Sequence, residues 1–402
     1  MILSRRMYEL KEISAFKTWA AVLMSCALVL AVQTGAAAAE PAPLSTSAKA
    51  SALIDVQSGR ILYSESGDDP MLIASLTKIM TAITAIEEGN IKDTVTVGPR
   101  AVGKEGSSIY LRLGEKMSLH NMLYGLMLRS GNDAATAIAE HVGGSEEGFV
   151  RMMNEKAEWI GLEHSNFENP HGLDQKGHLS TANDLAKLSA YALHNPVFAD
   201  IVKTRIRKAP NPNDPWDYSW ANKNKMLAFY EGADGVKTGY TKAALRCLVS
   251  SATRGGQQLA AVTLNDRDDW KDHQNMLDWG FQHYPLRQIA KKGEAVQGYP
   301  LASGRSFSYP LAEGEEAGLS AKLVLLDSAK QPTRYALGER GRLEWSLEGK
   351  PIGGSPVYDA GSPRLGMPDR PAGSFRPGGM FPSRSERFAA ALKKTEEVLF
   401  GK

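Results

Sequence analysis

The hydrophobic period of this chain changes twice, and that change constrains its fold more than any other feature. Between residues 75 and 161 apolar residues recur at helical spacing, whereas at 51–64 and 235–264 they come in short alternating or continuous runs. Residues 52–56 and 61–63 flank the turn-forming stretch Gln57-Ser58-Gly59-Arg60 and read as a hairpin. Residues 236–238, 247–252 and 259–264 read as strands, the last two joined by Arg254-Gly255-Gly256. Between these ends lies a helix over 75–88, with Leu76, Ile79, Met80, Ile83 and Ile86 on one face and Gly89 as its stop. A second helix, capped by Ser118, runs into Ser130-Gly131-Asn132; further helices cover 134–141 and 145–161. Thr181 with Asp184 resembles a capping box, and helical spacing returns over 270–284. Strands at both ends of a helical region most simply pair into one antiparallel sheet with helices packed on its faces.

Length adds a second domain. A chain of 402 residues exceeds the usual single-domain size of about 150. The first domain is expected over 45–285. Short apolar pieces such as 322–326 and 343–347 then alternate with Gly- and Glu-rich turns, predicting a small β-rich domain over 286–351. Residues 352–383 are dense in Gly, Pro and Ser and read as a linker. Residues 384–402 carry Phe388, Ala391, Leu392 and Leu399 on one helical face, an amphipathic helix suited to peripheral contact with a membrane surface or to docking on its own domain.

The first 39 residues read as a signal peptide. Arg5, Arg6, Lys11 and Lys17 precede an apolar run over 19–32 and the small residues before Glu40. The expected location is therefore extracytoplasmic. Cys26 falls in that leader, leaving Cys247 alone as a small buried hydrophobe and no disulfide framework. Net charge is only +2 and the Lys and Arg residues are scattered, so no nucleic-acid partner is expected. His164, His171 and His178 lack helical ligand spacing, and there is no phosphate-cradling glycine loop. No metal and no cofactor are expected.

Three short motifs carry chemistry. In Ser75-Leu76-Thr77-Lys78, residues three apart share a helix face, so the Lys78 amine can reach the Ser75 hydroxyl. A serine hydroxyl needs an adjacent base, and an ammonium cannot serve as one. Lys78 must therefore be held neutral by burial or by a neighbouring cation, for which Lys237 is the natural choice. A helix N-terminus also stabilises an oxyanion. In Ser130-Gly131-Asn132 the Ser130 hydroxyl can relay a proton to a leaving amine and the Asn132 amide can donate to substrate backbone. In Lys237-Thr238-Gly239 the ammonium and hydroxyl form a carboxylate-binding pair, and Gly239 permits close approach of a substrate backbone.

The order of these motifs, S-x-x-K, S-x-N about 55 residues on and K-T-G about a hundred beyond, resembles the signature of penicillin-binding proteins and serine β-lactamases. Asp55-Val56-Gln57-Ser58-Gly59, Asn169-Pro170-His171-Gly172-Leu173, Ser180-Thr181-Ala182 and Gly235-Val236-Lys237-Thr238-Gly239-Tyr240-Thr241 extend the match. Over about residues 48–285 the chain resembles the low-molecular-mass penicillin-binding proteins with D-Ala-D-Ala carboxypeptidase activity. The resemblance implies an α/β (α+β) transpeptidase-like fold, an acyl-serine on Ser75, Lys78 as proton acceptor and Ser130 as proton shuttle. It implies Lys237 on the terminal carboxylate, Asn132, Thr238 and Gly239 along the substrate, and an oxyanion hole from the Ser75 and Tyr240 N–H groups, with Arg246 assisting the carboxylate. Peptidoglycan stem peptides ending in D-Ala-D-Ala are the implied substrate and β-lactams the implied covalent inhibitors. Residues 243–247 and 264–270 look more like the sporulation-associated branch. Two alternatives remain: a β-lactamase, for which the E-x-x-L-N pattern is missing, and an idle penicillin-binding sensor whose serine acylates and stalls.

Overall fold

The computed structural model describes residues 43–368. Strands β1 (Ala50–Asp55) and β2 (Ile61–Glu65) open it, followed by helix α1 (Thr77–Glu88) and a small ribbon of β3 (Thr94–Thr96) with β4 (Lys116–Ser118). Helices α2 (Leu119–Arg129), α3 (Asn132–Gly143), α4 (Glu146–Ile160), α5 (Ala182–Leu193) and α6 (Pro196–Lys203) come next. A second ribbon, β5 (Ile206–Ala209) with β6 (Tyr218–Ala221), leads through the short α7 (Met226–Phe229) to β7 (Ala233–Thr241), β8 (Leu245–Arg254) and β9 (Gln257–Leu264). Helix α8 (Asp269–His283) follows.

The two ends of this region meet as expected. The main sheet has the order β2-β1-β9-β8-β7 and is antiparallel throughout, so β7 is an edge strand. Its side chains sort by parity. Ala52 and Ile54 with Ala260, Val262 and Leu264 face the large helical core, while Leu53 with Leu259 and Ala261 packs against Met276 and Leu277 of α8. Helix α5 lies against β1 and β9 from the large-core side. Both faces are covered, which is why β1 is buried at every position.

Helix α1 is more deeply placed than its periodicity suggests. Every residue from Thr77 to Ala85 is buried, because Thr81, Ala82, Thr84 and Ala85 present small surfaces against which α2 to α6 close in. A helix surrounded on all sides no longer shows a solvent face. Ile79, Met80 and Ile83 are fully buried, each worth about 1.5–3 kcal/mol of transfer. The first turn of this interior helix carries Lys78.

The second domain pairs β10 (Leu286–Ala290) with β12 (Phe307–Pro310). Beside them is a four-stranded sheet. It contains β11 (Leu301–Ser303), β13 (Leu319–Leu325), β14 (Glu339–Leu347) and β15 (Lys350–Asp359), in the order β11-β15-β14-β13. A short helix α9 (Pro332–Ala336) precedes β14. The linker expected over 352–383 is thus corrected at its start, and its residues 369–383 lie outside the described residues. Lys350–Asp359 is an interior strand, and the β-rich region extends past 351. Glycine composition misled here for a physical reason. A Cβ at Gly354 would lie 2.3 Å from the Leu343 carbonyl oxygen and one at Gly353 2.7 Å from the Phe307 ring, so the glycines permit close packing. Arg60 ties the two domains together. Its guanidinium donates to Glu315 at 2.5 and 2.8 Å and to the Pro310 carbonyl at 2.8 Å, beside the rings of Tyr284 and Tyr309. The expected signal peptide at 1–39 and amphipathic helix at 384–402 lie outside the described residues. No helix among the described residues is long and apolar enough to cross a membrane.

Candidate active site

Ser75 sits in a single 3-10 turn, Ala74–Leu76, that leads directly into α1. Its hydroxyl is partly exposed while Lys78, one turn on, is wholly buried. The Lys78 amine is 3.1 Å from Ser75 Oγ, 2.7 Å from Asn132 Oδ1 and 2.5 Å from the His171 carbonyl oxygen. The Asn132 amide orientation is fixed independently, because its Nδ2 donates to the Glu105 carbonyl at 2.6 Å.

Those three contacts can be met by an ammonium donating to all three oxygens or by a neutral amine donating to two and accepting from Ser75. The Asn132 and His171 oxygens can only accept, so they consume both N–H groups of a neutral amine. The remaining lone pair then points at the longest contact, Ser75 Oγ, which can donate. Electrostatics favour the neutral form. Burial pushes Lys78 well below the usual lysine range, the charges of Lys237 and Lys223 push the same way, and Asp133 opposes them.

Ser130 ends α2 in a left-handed conformation with φ 64°, and Asn132 begins α3, so the turn between two helices points both side chains inward. Among the described residues the buried Ser130 Oγ has no hydrogen-bond partner. A buried hydroxyl is rarely left that way unless something else is to meet it. Asp133 secures the turn by accepting from Ser108 Oγ at 2.6 Å and from the backbone N–H groups of Ile109 and Leu111 at 3.1 and 3.0 Å.

Edge strand β7 brings the third motif alongside. A Cβ on Gly239 would stand 3.2 Å from the Ser75 backbone nitrogen and 3.3 Å from the Ala74 Cβ, so only glycine allows this approach without displacement. Lys237 is 1% exposed and donates to the Thr238 carbonyl at 2.6 Å. Burial, helped by Lys223, lowers it to about 7. Tyr240 is exposed beside the turn. Arg246 lies opposite Tyr240 in register, but its Nε and Nη2 groups are engaged by the two oxygens of Asp269, which joins 243–247 to 264–270.

Three contributors carry no mark in the sequence. Lys223, whose amine donates to Ser107 Oγ at 2.9 Å, is a third lysine whose charge acts on Lys78 and Lys237, and no motif marks it. Asp133 ties the loop. His171 acts through its backbone oxygen, which no residue type advertises, although its segment stands out. Next to it, Gly172 has φ 83°, and a Cβ there would lie 2.0 Å from the Ala74 carbonyl oxygen. Gly172→Ala should therefore destabilise the fold by about 3 kcal/mol or more and displace the serine turn, as read by calorimetry and penicillin labelling. An unchanged melting temperature with full labelling would contradict this packing.

Comparison with known proteins now bears on this arrangement. The family model described as D-alanyl-D-alanine carboxypeptidase, Peptidase_S11, matches residues 35–268. D-alanyl-D-alanine carboxypeptidase DacF of Bacillus subtilis is 32% identical over 333 residues, covering 78% of this chain and 85% of that protein. D-alanyl-D-alanine carboxypeptidase DacC of Escherichia coli is also 32% identical, over 343 residues covering 78% and 83%. Among solved structures, penicillin binding protein 6B from Escherichia coli superposes with a TM-score of 0.63 at 30% identity, covering 79% of this chain and 97% of that one. The Streptomyces K15 DD-transpeptidase, solved in a mutant form, gives 0.57 at 30% identity, covering 60% and 100%. A serine turn, a buried amine and a cationic edge strand thus meet in a fold shared with these enzymes, and the chain belongs to the D-alanyl-D-alanine carboxypeptidase family of serine peptidases.

Proposed function

We propose that the chain removes the terminal D-alanine from peptidoglycan stem peptides, with Ser75 as nucleophile and Lys78 as its base. One observation carries this assignment: a wholly buried amine, pushed towards its neutral form, lies 3.1 Å from Ser75 Oγ and hydrogen-bonds two carbonyl oxygens that can only accept.

The peptide lies along edge strand β7 as an added strand, its carboxylate on Lys237 and Thr238 and its backbone on Asn132. Lys78 takes the Ser75 proton as Oγ attacks the penultimate D-Ala carbonyl carbon. The resulting oxyanion is held by the Ser75 and Tyr240 N–H groups. The C–N bond then breaks, and the leaving D-alanine amine receives the proton from Lys78 through Ser130. Water next attacks the Ser75 ester, giving its proton to Lys78, and the proton returns to Ser75 as the shortened peptide leaves. A β-lactam enters the same sequence, but its amine remains tethered after ring opening and obstructs the water.

Among the described residues no carboxylate hydrogen-bonds Ser75 or Lys78, which disfavours a glutamate-driven β-lactamase. Glu163 and Glu168 are exposed. A signal peptide over 1–39 and an amphipathic helix over 384–402 would set the enzyme on the outer face of the membrane. A role in spore peptidoglycan rests on 243–247 and 264–270 alone, since the Bacillus and Escherichia relatives are equally distant at 32%.

Lys237 supplies a test. Its ammonium must be charged to hold the carboxylate, and its pKa is about 7 in the free enzyme. Because kcat/KM reports groups of the free enzyme, it should fall above that pH as Lys237 loses its proton. In Lys237→Arg the guanidinium stays charged, so this basic limb should move upward by several pH units. The same limb persisting in the variant would remove Lys237 from carboxylate binding.

A further inference from the structure

The carbonyl of Ala74, the residue before the nucleophile, accepts two hydrogen bonds from Thr77. Ala74 has φ 47°, a left-handed conformation that a residue with a Cβ rarely adopts, and it is 1% exposed. Its oxygen accepts from the Thr77 backbone N–H and from Thr77 Oγ at 2.9 Å. Thr77 Oγ is in turn 2.7 Å from His178 Nε2, and His178 Nδ1 accepts from the Glu168 backbone N–H at 3.0 Å.

The polarity of every link is forced. A backbone N–H only donates, so His178 Nδ1 carries no proton and the neutral ring bears it on Nε2. Nε2–H must then donate to Thr77 Oγ. The Thr77 hydroxyl proton is left to the Ala74 oxygen, which only accepts. Thr77 and His178 are 0% and 1% exposed, so water cannot replace these bonds. Burial also holds His178 down to about 4, which keeps the ring neutral at ordinary pH.

We propose that His178 and Thr77 are positioning residues for the nucleophile. The relay from the Glu168 N–H through His178 and Thr77 to the Ala74 oxygen locks the strained peptide that aims Ser75 Oγ at Lys78. Neither side chain touches substrate. The proposal rests on the assignment of Ser75 and Lys78 made above.

The test measures acylation by labelled penicillin on the purified protein, separating the rate constant at saturation from the half-saturating concentration. Thr77→Val keeps the shape but deletes both bonds of the hydroxyl. It should lower the rate constant about 10²-fold, the cost of a small misplacement of a reacting group. The half-saturating concentration should change by less than about threefold, because that misplacement affects the reaction and not the binding contacts. Thr77→Ser restores the hydroxyl and should stay within about threefold of wild type. His178→Leu, which leaves the Thr77 to Ala74 bond, should lose about tenfold, and adding it to Thr77→Val should cost less than about twofold more. Wild-type acylation by Thr77→Val, or equal losses in Thr77→Val and Thr77→Ser, overturns the proposal. Should Thr77→Val fail to fold, wild-type acylation by His178→Leu overturns it instead. Lys78→Arg is run alongside. If it acylates normally, the base assignment itself is wrong; if it is silent while Thr77→Val is normal, only the positioning relay falls.

Discussion

Lys78→Arg should acylate at least about 10³-fold more slowly than wild type, the upper part of the range for losing a general base. Arginine stays positively charged and has no lone pair to receive the Ser75 proton at any working pH. Burial and two nearby lysines push the wild-type amine towards its neutral form, with Asp133 opposing. Arginine is also larger than the fully enclosed space around Lys78, so a second variant is needed to separate chemistry from packing. Lys78→Met fits the same space and is neutral, yet cannot accept a proton; it leaves the Asn132 and His171 oxygens without their donor. That costs stability, about 1–3 kcal/mol for each orphaned group, but leaves a folded protein whose melting curve can be recorded. Both variants should be folded and nearly silent when acylation is followed by intact-protein mass. Acylation by folded Lys78→Met within about tenfold of wild type would show that another group takes the proton.

Much of this site is legible as sequence, and the reasons are local. Ser75 and Lys78 are three residues apart at a helix start, so their contact follows from helical geometry. The strand bearing Lys237 and the turn bearing Ser130 can be placed by period and by turn residues, without knowing what they pack against. The sheet is legible because runs such as 259–264 show no polar face, the mark of a strand covered on both sides.

What escapes is set by tertiary contact. Nothing in the residues around Lys223 says that its charge reaches Lys78 and Lys237. The Thr77 to His178 bond spans 101 residues, and its partners are chosen by the packing of a loop on α1. Helix α6 escapes because eight residues are too few to establish a period, although Asn195-Pro196 carries a start signal, a cap followed by proline in the first turn. Strand β15 resembles a linker only while its glycines and prolines are weighed by composition. The actual role of Gly353 and Gly354 is to let the backbone lie against Phe307 and Leu343.

The largest effect of all is expected at Ser75. Ser75→Ala removes one oxygen from a partly exposed position, so the turn, the Lys78 contacts to Asn132 and His171 and the edge strand should all persist. The covalent route through an acyl-serine is then closed, and what survives is the weak catalysis supplied by binding and the oxyanion donors, about 10⁶-fold below a complete nucleophile and base. The measurement is D-alanine released from a stem pentapeptide, quantified by mass spectrometry for wild type and Ser75→Ala at equal protein concentration. Repeated turnover by wild type with none detectable from Ser75→Ala is the predicted result. Equal release by the two proteins would contradict the acyl-serine account.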